Sequence, residues 1–444
     1  MKRILLIAAL FSCTALCAAP PAASGAVSEG RAPYGGEMLV CSTVAESSAA
    51  GFPQSKYIRP LEEWSVAADG ARTCDFAVPF AWVNRQVVLH VESASRGYAV
   101  EIDGRRVGFT RSGMLPSEFV ITKFVKEGRN QVRLVPFADD MAGVLSRESD
   151  EFTTGRCYVQ SPAAVRVRDI VTNTVISADG GASAEFGIVL KSEMLNPKST
   201  RVDYELFVND SIRLHYGYKE LTLDMRGEDT VRFATLLPDS CLWRLRRPCM
   251  LRLDVRTRNA GRYQECLTFR LGVRNISVSE RGLVSVNGNL TALIVADVDP
   301  SISADEIVAL REQGYNALHP RAGAVDRRLF DLCDSIGMYA IAQSPVSTSR
   351  WGDSRRVGGN PSNDATWTES FVDRAEGIYH TLKIHPSVVA FSIAEESSNG
   401  IALYETYLRL KSFGDARPVI YDGAGGEWNS DRLQRFTSPA AAGL

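Results

Sequence analysis

The chain has little excess charge: 50 lysines and arginines against 52 aspartates and glutamates leave a formal net charge of -2 at pH 7. So even a balance supplies no electrostatic footprint for nucleic acid or for an anionic membrane surface. Paired cysteine spacing is also missing. Seven cysteines lie beyond residue 20, at Cys41, Cys74, Cys157, Cys241, Cys249, Cys266 and Cys333, with no C-x-x-C among them. An odd, scattered set is neither a disulfide framework nor a zinc site, and no metal or cofactor is expected. One bridge among Cys241, Cys249 and Cys266 stays open for an oxidising compartment, with buried free thiols as the other state.

Long apolar runs are confined to Ile4 to Ala19, which is too short and too near the start to read as a transmembrane helix. With Met1-Lys2-Arg3 before it and the small Ala18 and Ala19 at its end, the stretch 1–19 reads as a secretory signal. Leu10-Phe11-Ser12-Cys13 loosely resembles a lipobox, but the apolar run before Cys13 is short, so plain export ranks ahead of lipid anchoring. The expected location is periplasmic or extracellular.

What is present reads as a multidomain β plus α/β chain. Hydrophobic residues at 45% and charged residues at 23% are ordinary globular values, and 444 residues allow two to four domains. Pro20-Pro21-Ala22-Ala23-Ser24-Gly25 opens a low-complexity stretch, 20–36, expected to be a disordered linker. Over 37–160, short alternating runs broken by turn residues predict a jelly-roll β-sandwich; Asp103-Gly104, between Tyr98–Ile102 and Arg106–Phe109, is a strong hairpin signal. A second set of strands over 165–275, including Val202 to Val208 and Leu251 to Val255, fits an immunoglobulin-like β-sandwich.

From residue 276 to 435 the period changes. Five apolar strands alternate with helices: Leu293 to Ala296, Asn316 to His319, Met338 to Ala342, Val388 to Ile393 and Pro418 to Tyr421. That alternation implies a parallel sheet with right-handed crossovers, here an incomplete TIM-type (β/α) barrel. Five strands do not close an eight-strand ring, and the tail from Arg435 to Leu444 reads as containing no further strand. The sheet is therefore expected to keep an open edge after Pro418 to Tyr421, covered by the tail, by the sandwiches or by a partner chain.

The most informative stretch is Lys383-Ile384-His385-Pro386-Ser387-Val388-Val389-Ala390-Phe391-Ser392-Ile393-Ala394-Glu395-Glu396. Two carboxylates directly follow a buried strand, at the end of a barrel strand where reacting groups sit. A carboxylate with apolar strand behind it is placed to act as an acid. The segment resembles the acid/base motif of glycoside hydrolase family two, the β-galactosidase and β-glucuronidase group, which reads K-x-H-P-S-[IV]-x-x-W-S-x-x-N-E. Glu396 falls on the acid/base position, while Phe391 replaces the tryptophan and Glu395 the asparagine. Further marks recur in the family's order: Phe76-x-Val78-Pro79-Phe80-x-Trp82, Asp103-Gly104-x-x-Val107-Gly108, Leu242-Trp243, Leu271-Gly272-Val273-Arg274, Phe330 to Tyr339 and Arg417-Pro418-Val419-x-Tyr421.

The resemblance implies a carbohydrate ligand, a β-glycoside or glycan, with Glu396 as general acid and Glu395, His319 and Asn316 as sugar contacts. It also exposes departures. The family's arginine after Asn-Ala-x is His319 here, its His-Glu pair after the first strand is Asp297-Val298-Asp299, and its 2-hydroxyl-binding asparagine is Glu395. Arg321 offers a substitute guanidinium or a solvated surface charge. Trp351 and Trp367, in the loop after the third strand, offer either sugar stacking or loop anchoring. A retaining glycosidase needs two carboxyl groups about 5 to 5.5 Å apart. The family's nucleophile comes from the seventh strand, which this sequence does not supply, leaving Glu427 and Asp422 as the nearest alternatives.

Three readings compete: an exported hydrolase rebuilt around Glu396, a non-catalytic glycan- or partner-binding relative, and a truncated product of a full enzyme gene. The altered residues at 297, 319 and 395 argue against simple truncation.

Overall fold

In the N-terminal part, alternating apolar residues separated by turn pairs fold into two antiparallel sheets of six and five strands. The structure is a computed structural model describing residues 26–442 apart from 83–84, 138–142, 147–150, 177–180 and 357. The expected signal segment and Cys13 lie outside the described residues. Phe76, Trp82, Leu89, Tyr98, Phe119 and Leu134 fill the space between the sheets. Asp103 and Gly104 both take positive φ, 46° and 74°, the two-residue turn whose twist suits a hairpin.

The expected linker is corrected here. Ser28–Glu29 pairs with Phe109 and Thr110 in one sheet, and Arg31–Ala32 pairs with Glu118 and Phe119 in the other. Gly30, at φ 66°, turns the chain between them, and a Cβ there would stand 2.6 Å from the Val107 carbonyl oxygen. Two-residue strands carry no readable period, so composition alone hid them.

The second sandwich packs a three-stranded sheet on a four-stranded one. Its core joins Val167, Phe186, Leu206, Leu253 and Phe269. Among the described residues all seven cysteines are free thiols, six of them buried.

After a small antiparallel meander (Ile276–Val278, Val284–Val286, Asn289–Thr291), the chain alternates strand and helix. The elements are β1 (Leu293–Val298), α1 (Ala304–Glu312), β2 (Ala317–Pro320), α2 (Arg327–Ile336), β3 (Tyr339–Gln343), α3 (Thr368–Leu382), β4 (Val388–Ser392), α4 (Ile401–Lys411), β5 (Val419–Ile420) and β6 (Arg435–Phe436). Ser303 and Glu306 form a reciprocal capping box at the start of α1, and Gly337 at φ 76° ends α2. All strands are parallel, in the order β5-β4-β3-β2-β1-β6. One face of the sheet packs on the helices through Leu318, Ala340, Phe391, Leu329, Phe371 and Leu403. The other meets Trp243 of the second sandwich together with Val284 and Val286 of the meander.

β6 is a further correction, because the tail does contain a strand. Its two residues pair with Leu293 and Ile294 on the far side of β1. Between β5 and β6 runs a strap. Asp431 donates its backbone N–H to the Val419 carbonyl (2.8 Å) and its carboxylate accepts the Val419 N–H (2.8 Å), while Ser430 Oγ accepts the Tyr421 N–H (2.9 Å). Leu433 packs against the inner face, and Gln434 N–H reaches the Gly282 carbonyl at 2.8 Å. The open edge of β5 is thus covered by the chain's own tail.

The second sandwich is pinned to the sheet where two sequence motifs meet. Arg274 donates from Nε to the Pro386 carbonyl (2.5 Å) and from Nη2 to the Val388 carbonyl (2.6 Å). Beside it Gly272 lies so close to Pro386 that an added Cβ would sit 2.3 Å from the proline Cγ. We therefore expect Gly272→Ala to destabilise the protein by about 1–3 kcal/mol through overpacking, read by thermal melting against a Gly323→Ala control, whose Cβ meets no atom within 4 Å and whose backbone is not left-handed.

A second expectation concerns acid. Burial opposes the charge of Asp415, but the Arg417 guanidinium and its hydrogen bonds outweigh burial and lower the carboxyl to about 2. Its folded-state value lies below the unfolded value of about 3.9, so its contribution is fully present above about pH 4 and lost as pH falls towards 2. Chemical denaturation at a series of pH values should show Asp415→Asn losing on the order of 2 kcal/mol of the wild-type pH dependence in that window.

Candidate active site

β4 ends in Ser392, and the chain continues through Ile393 and Ala394, both buried, before Glu395 and Glu396 reach the mouth of the sheet. The backbone there is held by the loop after β3. Glu395 N–H donates to the Val346 carbonyl (2.9 Å), and the Glu396 carbonyl accepts from the N–H groups of Thr348 (2.7 Å) and Ser349 (3.1 Å). That loop is tied together by Asn360, which is fully buried. Its amide donates to the carbonyls of Thr348 (2.9 Å) and Gly352 (2.8 Å), and its oxygen accepts from the Thr348 hydroxyl (2.8 Å) and the Ser362 N–H (3.1 Å).

The two carboxylates point to different partners, as consecutive residues at a strand end must. Glu396 is exposed and accepts a hydrogen bond from the Ser349 hydroxyl at 3.0 Å. Glu395 is half-buried and accepts from the Ala322 N–H, in the loop after β2, at 3.3 Å. His319, the penultimate residue of β2, places Nε2 2.8 Å from Gln343 Oε1 at the end of β3 and Nδ1 3.7 Å from Asp297 on β1. Gln343 Nε2 in turn donates to the Ser344 carbonyl at 2.8 Å. That bond directs the amide oxygen toward Nε2 of the imidazole, where it can accept the ring N–H. Asp297, His319 and Gln343 thus form one polar row across the ends of three neighbouring strands.

Asn316 does not belong to this row. It precedes β2, at the opposite end of the strand, where its Oδ1 accepts the Ile294 N–H (2.7 Å) and its Nδ2 donates to the Ala292 carbonyl (2.9 Å). The expectation that it touches sugar is therefore corrected: its side chain is engaged in joining β2 to β1. Trp367 is likewise buried in the helix-side core, and Trp351 donates its indole N–H to the Val144 carbonyl (2.9 Å), so both tryptophans anchor the loop. Arg321 is exposed, and Asp299 binds Ser301 at the start of the next loop.

The carboxylates on the β5 side have partners of their own. Glu427 accepts from Arg355 Nη1 (2.9 Å) and from the Tyr404 hydroxyl, and these bonds hold its carboxyl below the ordinary range. Asp422 is paired with Arg435. His385 of the His-Pro motif is buried and bonded through Nδ1 to Asp334 at 2.7 Å, away from the mouth. Gln343 and Ser349 were not singled out by sequence reasoning. Gln343 had a signal, as the last residue of an apolar strand; Ser349 had none, lying in an irregular loop.

Set beside known proteins, the chain matches two family models. Residues 56–158 match "Glycosyl hydrolases family 2, sugar binding domain", and residues 298–440 match "Glycosyl hydrolases family 2, TIM barrel domain". The chain belongs to glycoside hydrolase family two. Among curated relatives, β-galactosidase of Priestia megaterium is 22% identical over 367 residues, covering 77% of this chain and 35% of that protein. β-Galactosidase of Alteromonas mediterranea is 22% identical over 406 residues, covering 84% of this chain and 37% of that protein. Among solved structures, a family-two member from Bacteroides cellulosilyticus aligns with a TM-score of 0.63 at 16% identity, over 79% of this chain and 49% of that one. Bacteroides uniformis β-glucuronidase aligns with a TM-score of 0.65 at 13% identity, over 89% of this chain and 52% of that one. The chain thus spans about a third of the length of these curated relatives and about half of these solved structures.

The geometry of the row is testable by itself. In wild-type protein, side-chain nitrogen shifts of His319 should report a proton held on Nε2. Gln343→Leu should shift the Nε2 resonance by removing its hydrogen-bond acceptor.

Proposed function

We propose that the barrel mouth binds a β-linked glycoside, with Glu396 as the group that would protonate the glycosidic oxygen and His319 and Glu395 as hydroxyl contacts, and that the chain hydrolyses such substrates weakly or not at all. Family membership and the strand-end position of Glu396 support glycoside binding. The observation that carries the second half is the pairing of the alternative nucleophiles: Glu427 is engaged by Arg355 and Tyr404, and Asp422 by Arg435. A retaining glycosidase needs a second carboxylate about 5 Å from the acid, on the other side of the anomeric carbon, whereas Glu427 and Asp422 are each held toward partners of their own. Without that second carboxylate no glycosyl-enzyme intermediate forms, and protonation alone leaves an oxocarbenium-like state with no nucleophile.

The same reading places the protein outside the cytoplasm, on the strength of the signal-like stretch 1–19. A purely glycan- or partner-binding role follows if turnover is nil, since the hydroxyl-contacting groups need no nucleophile.

Hydrolysis of nitrophenyl β-galactoside and β-glucuronide is the direct test. Turnover should be at background, and any rate found above background should be lost in Glu396→Gln, since a general acid contributes about 100-fold or more. Melting should stay unchanged, because one exposed acid contributes little to stability. Rapid turnover that survives Glu396→Gln would place the chemistry on other residues. Rapid turnover lost in both Glu396→Gln and Glu427→Gln would identify Glu427 as the nucleophile and reject the weak-hydrolysis reading.

A further inference from the structure

We propose that Trp428, backed by Tyr404, is a stacking platform for one pyranose ring of a β-linked glycan at the rim of the barrel mouth; this rests on the glycoside-binding reading above. The chain has six tryptophans. Trp82, Trp243 and Trp367 are buried, and the half-buried Trp64 and Trp351 each donate their indole N–H to a backbone carbonyl. Trp428 differs in being 57% exposed.

Its exposure is not that of a side chain hanging free in solvent. One indole face rests on the Tyr404 ring, with centroids 5.2 Å apart and planes inclined at 26°, and Tyr407 meets it edge-on at 6.0 Å and 76°. The indole is therefore fixed before any ligand arrives, which lowers the ordering cost of binding. The residue before it, Glu427, is kept ionised by Arg355 and by the Tyr404 hydroxyl, placing a charged acceptor and a guanidinium beside the ring. A pyranose offers matching chemistry: an apolar face of C–H groups bordered by hydroxyls that hydrogen-bond in the ring plane.

The platform is coupled to the mouth. Asn399, three residues after Glu396, and Asn429, directly after Trp428, are both buried and exchange amide hydrogen bonds of 3.1 and 2.8 Å. The Tyr421 hydroxyl also donates to the Ser397 carbonyl. Glu396 and Trp428 therefore stand on neighbouring strand-end loops clamped to each other. A glycan with one residue at Glu396 has its next contact surface on that adjoining loop.

Ile401 and Leu408, on α4 with Tyr404, are also exposed, at 40% and 48%. They make a protein contact the competing occupant, and the test separates the two. Calorimetric titration with lactose and with cellotetraose, alongside acrylamide quenching of tryptophan fluorescence, would be run on wild type, Trp428→Ala and Trp428→Phe, each checked by melting and by sedimentation. Expected are saccharide protection of Trp428 from acrylamide, binding about ten-fold weaker in Trp428→Ala, and most of the affinity retained in Trp428→Phe, which keeps an aromatic face. Saccharide binding unchanged in Trp428→Ala would overturn the platform while leaving the glycoside reading intact. No binding of either saccharide by wild type would overturn the glycoside reading and the platform with it. An unchanged affinity accompanied by dissociation of a dimer in Trp428→Ala would assign this face to protein contact instead.

Discussion

A parallel sheet that stops short of closure leaves the last strand with unpaired backbone groups, and much of the C-terminal half is arranged around that constraint. Among the described residues β5 has a strand neighbour only on the β4 side, so its outer N–H and C=O groups need other partners. Ser430 and Asp431 supply them, after which the chain passes Gly282 and lays β6 against β1. The same strap carries Asp422, Glu427, Trp428 and Asn429 past the ends of β4 and β5. The pairing that engages Asp422 with Arg435, and the clamp between Asn429 and Asn399, are consequences of a tail that covers an edge.

The strongest marks in the sequence prove to be joints rather than reacting groups. Leu271-Gly272-Val273-Arg274 and His385-Pro386 are over a hundred residues apart, yet Arg274 donates to the Pro386 and Val388 carbonyls and Gly272 lies against the Pro386 ring. Burial and the nearby Arg417 push the Arg274 guanidinium down to about 9, still charged at neutral pH. A buried cation is tolerable there because its N–H groups meet carbonyl oxygens. His385 serves the same joint by bonding Asp334, whose other oxygen accepts the Ser387 N–H. These contacts set the height of β4 in the sheet, and so determine where Glu395 and Glu396 emerge.

The first sandwich also reaches the mouth. Val144 and Leu145 enter the helix-side core, Leu145 accepts the Ser347 N–H, and Val144 accepts the Trp351 indole. The loop that holds Glu396 is therefore braced from outside the barrel. This gives a sandwich with no identified ligand contact of its own a part in placing the acid. Across the strand ends the row of Asp297, His319 and Gln343 is polar and pre-oriented.

Local pattern was enough for much of this. The hairpin at Asp103-Gly104, the capping box at Ser303, the stop at Gly337 and the βα alternation are each set by residues within a few positions of one another, so the fold class and the position of Glu396 were legible in the sequence. The seven-strand content of the second sandwich was read only in part. The two-residue strands at 28–32 and 435–436 were missed altogether, because such short segments form only where a distant sheet edge awaits them. Asn316 was misplaced because a motif tells which residues are near in sequence but not which end of a strand each one serves. Gln343, Ser349, the engagement of Glu427 and the stacked Trp428 were settled only by tertiary structure. Each depends on a hydrogen bond or ring contact between loops tens of residues apart, and such partners are chosen by packing geometry, which local sequence does not encode.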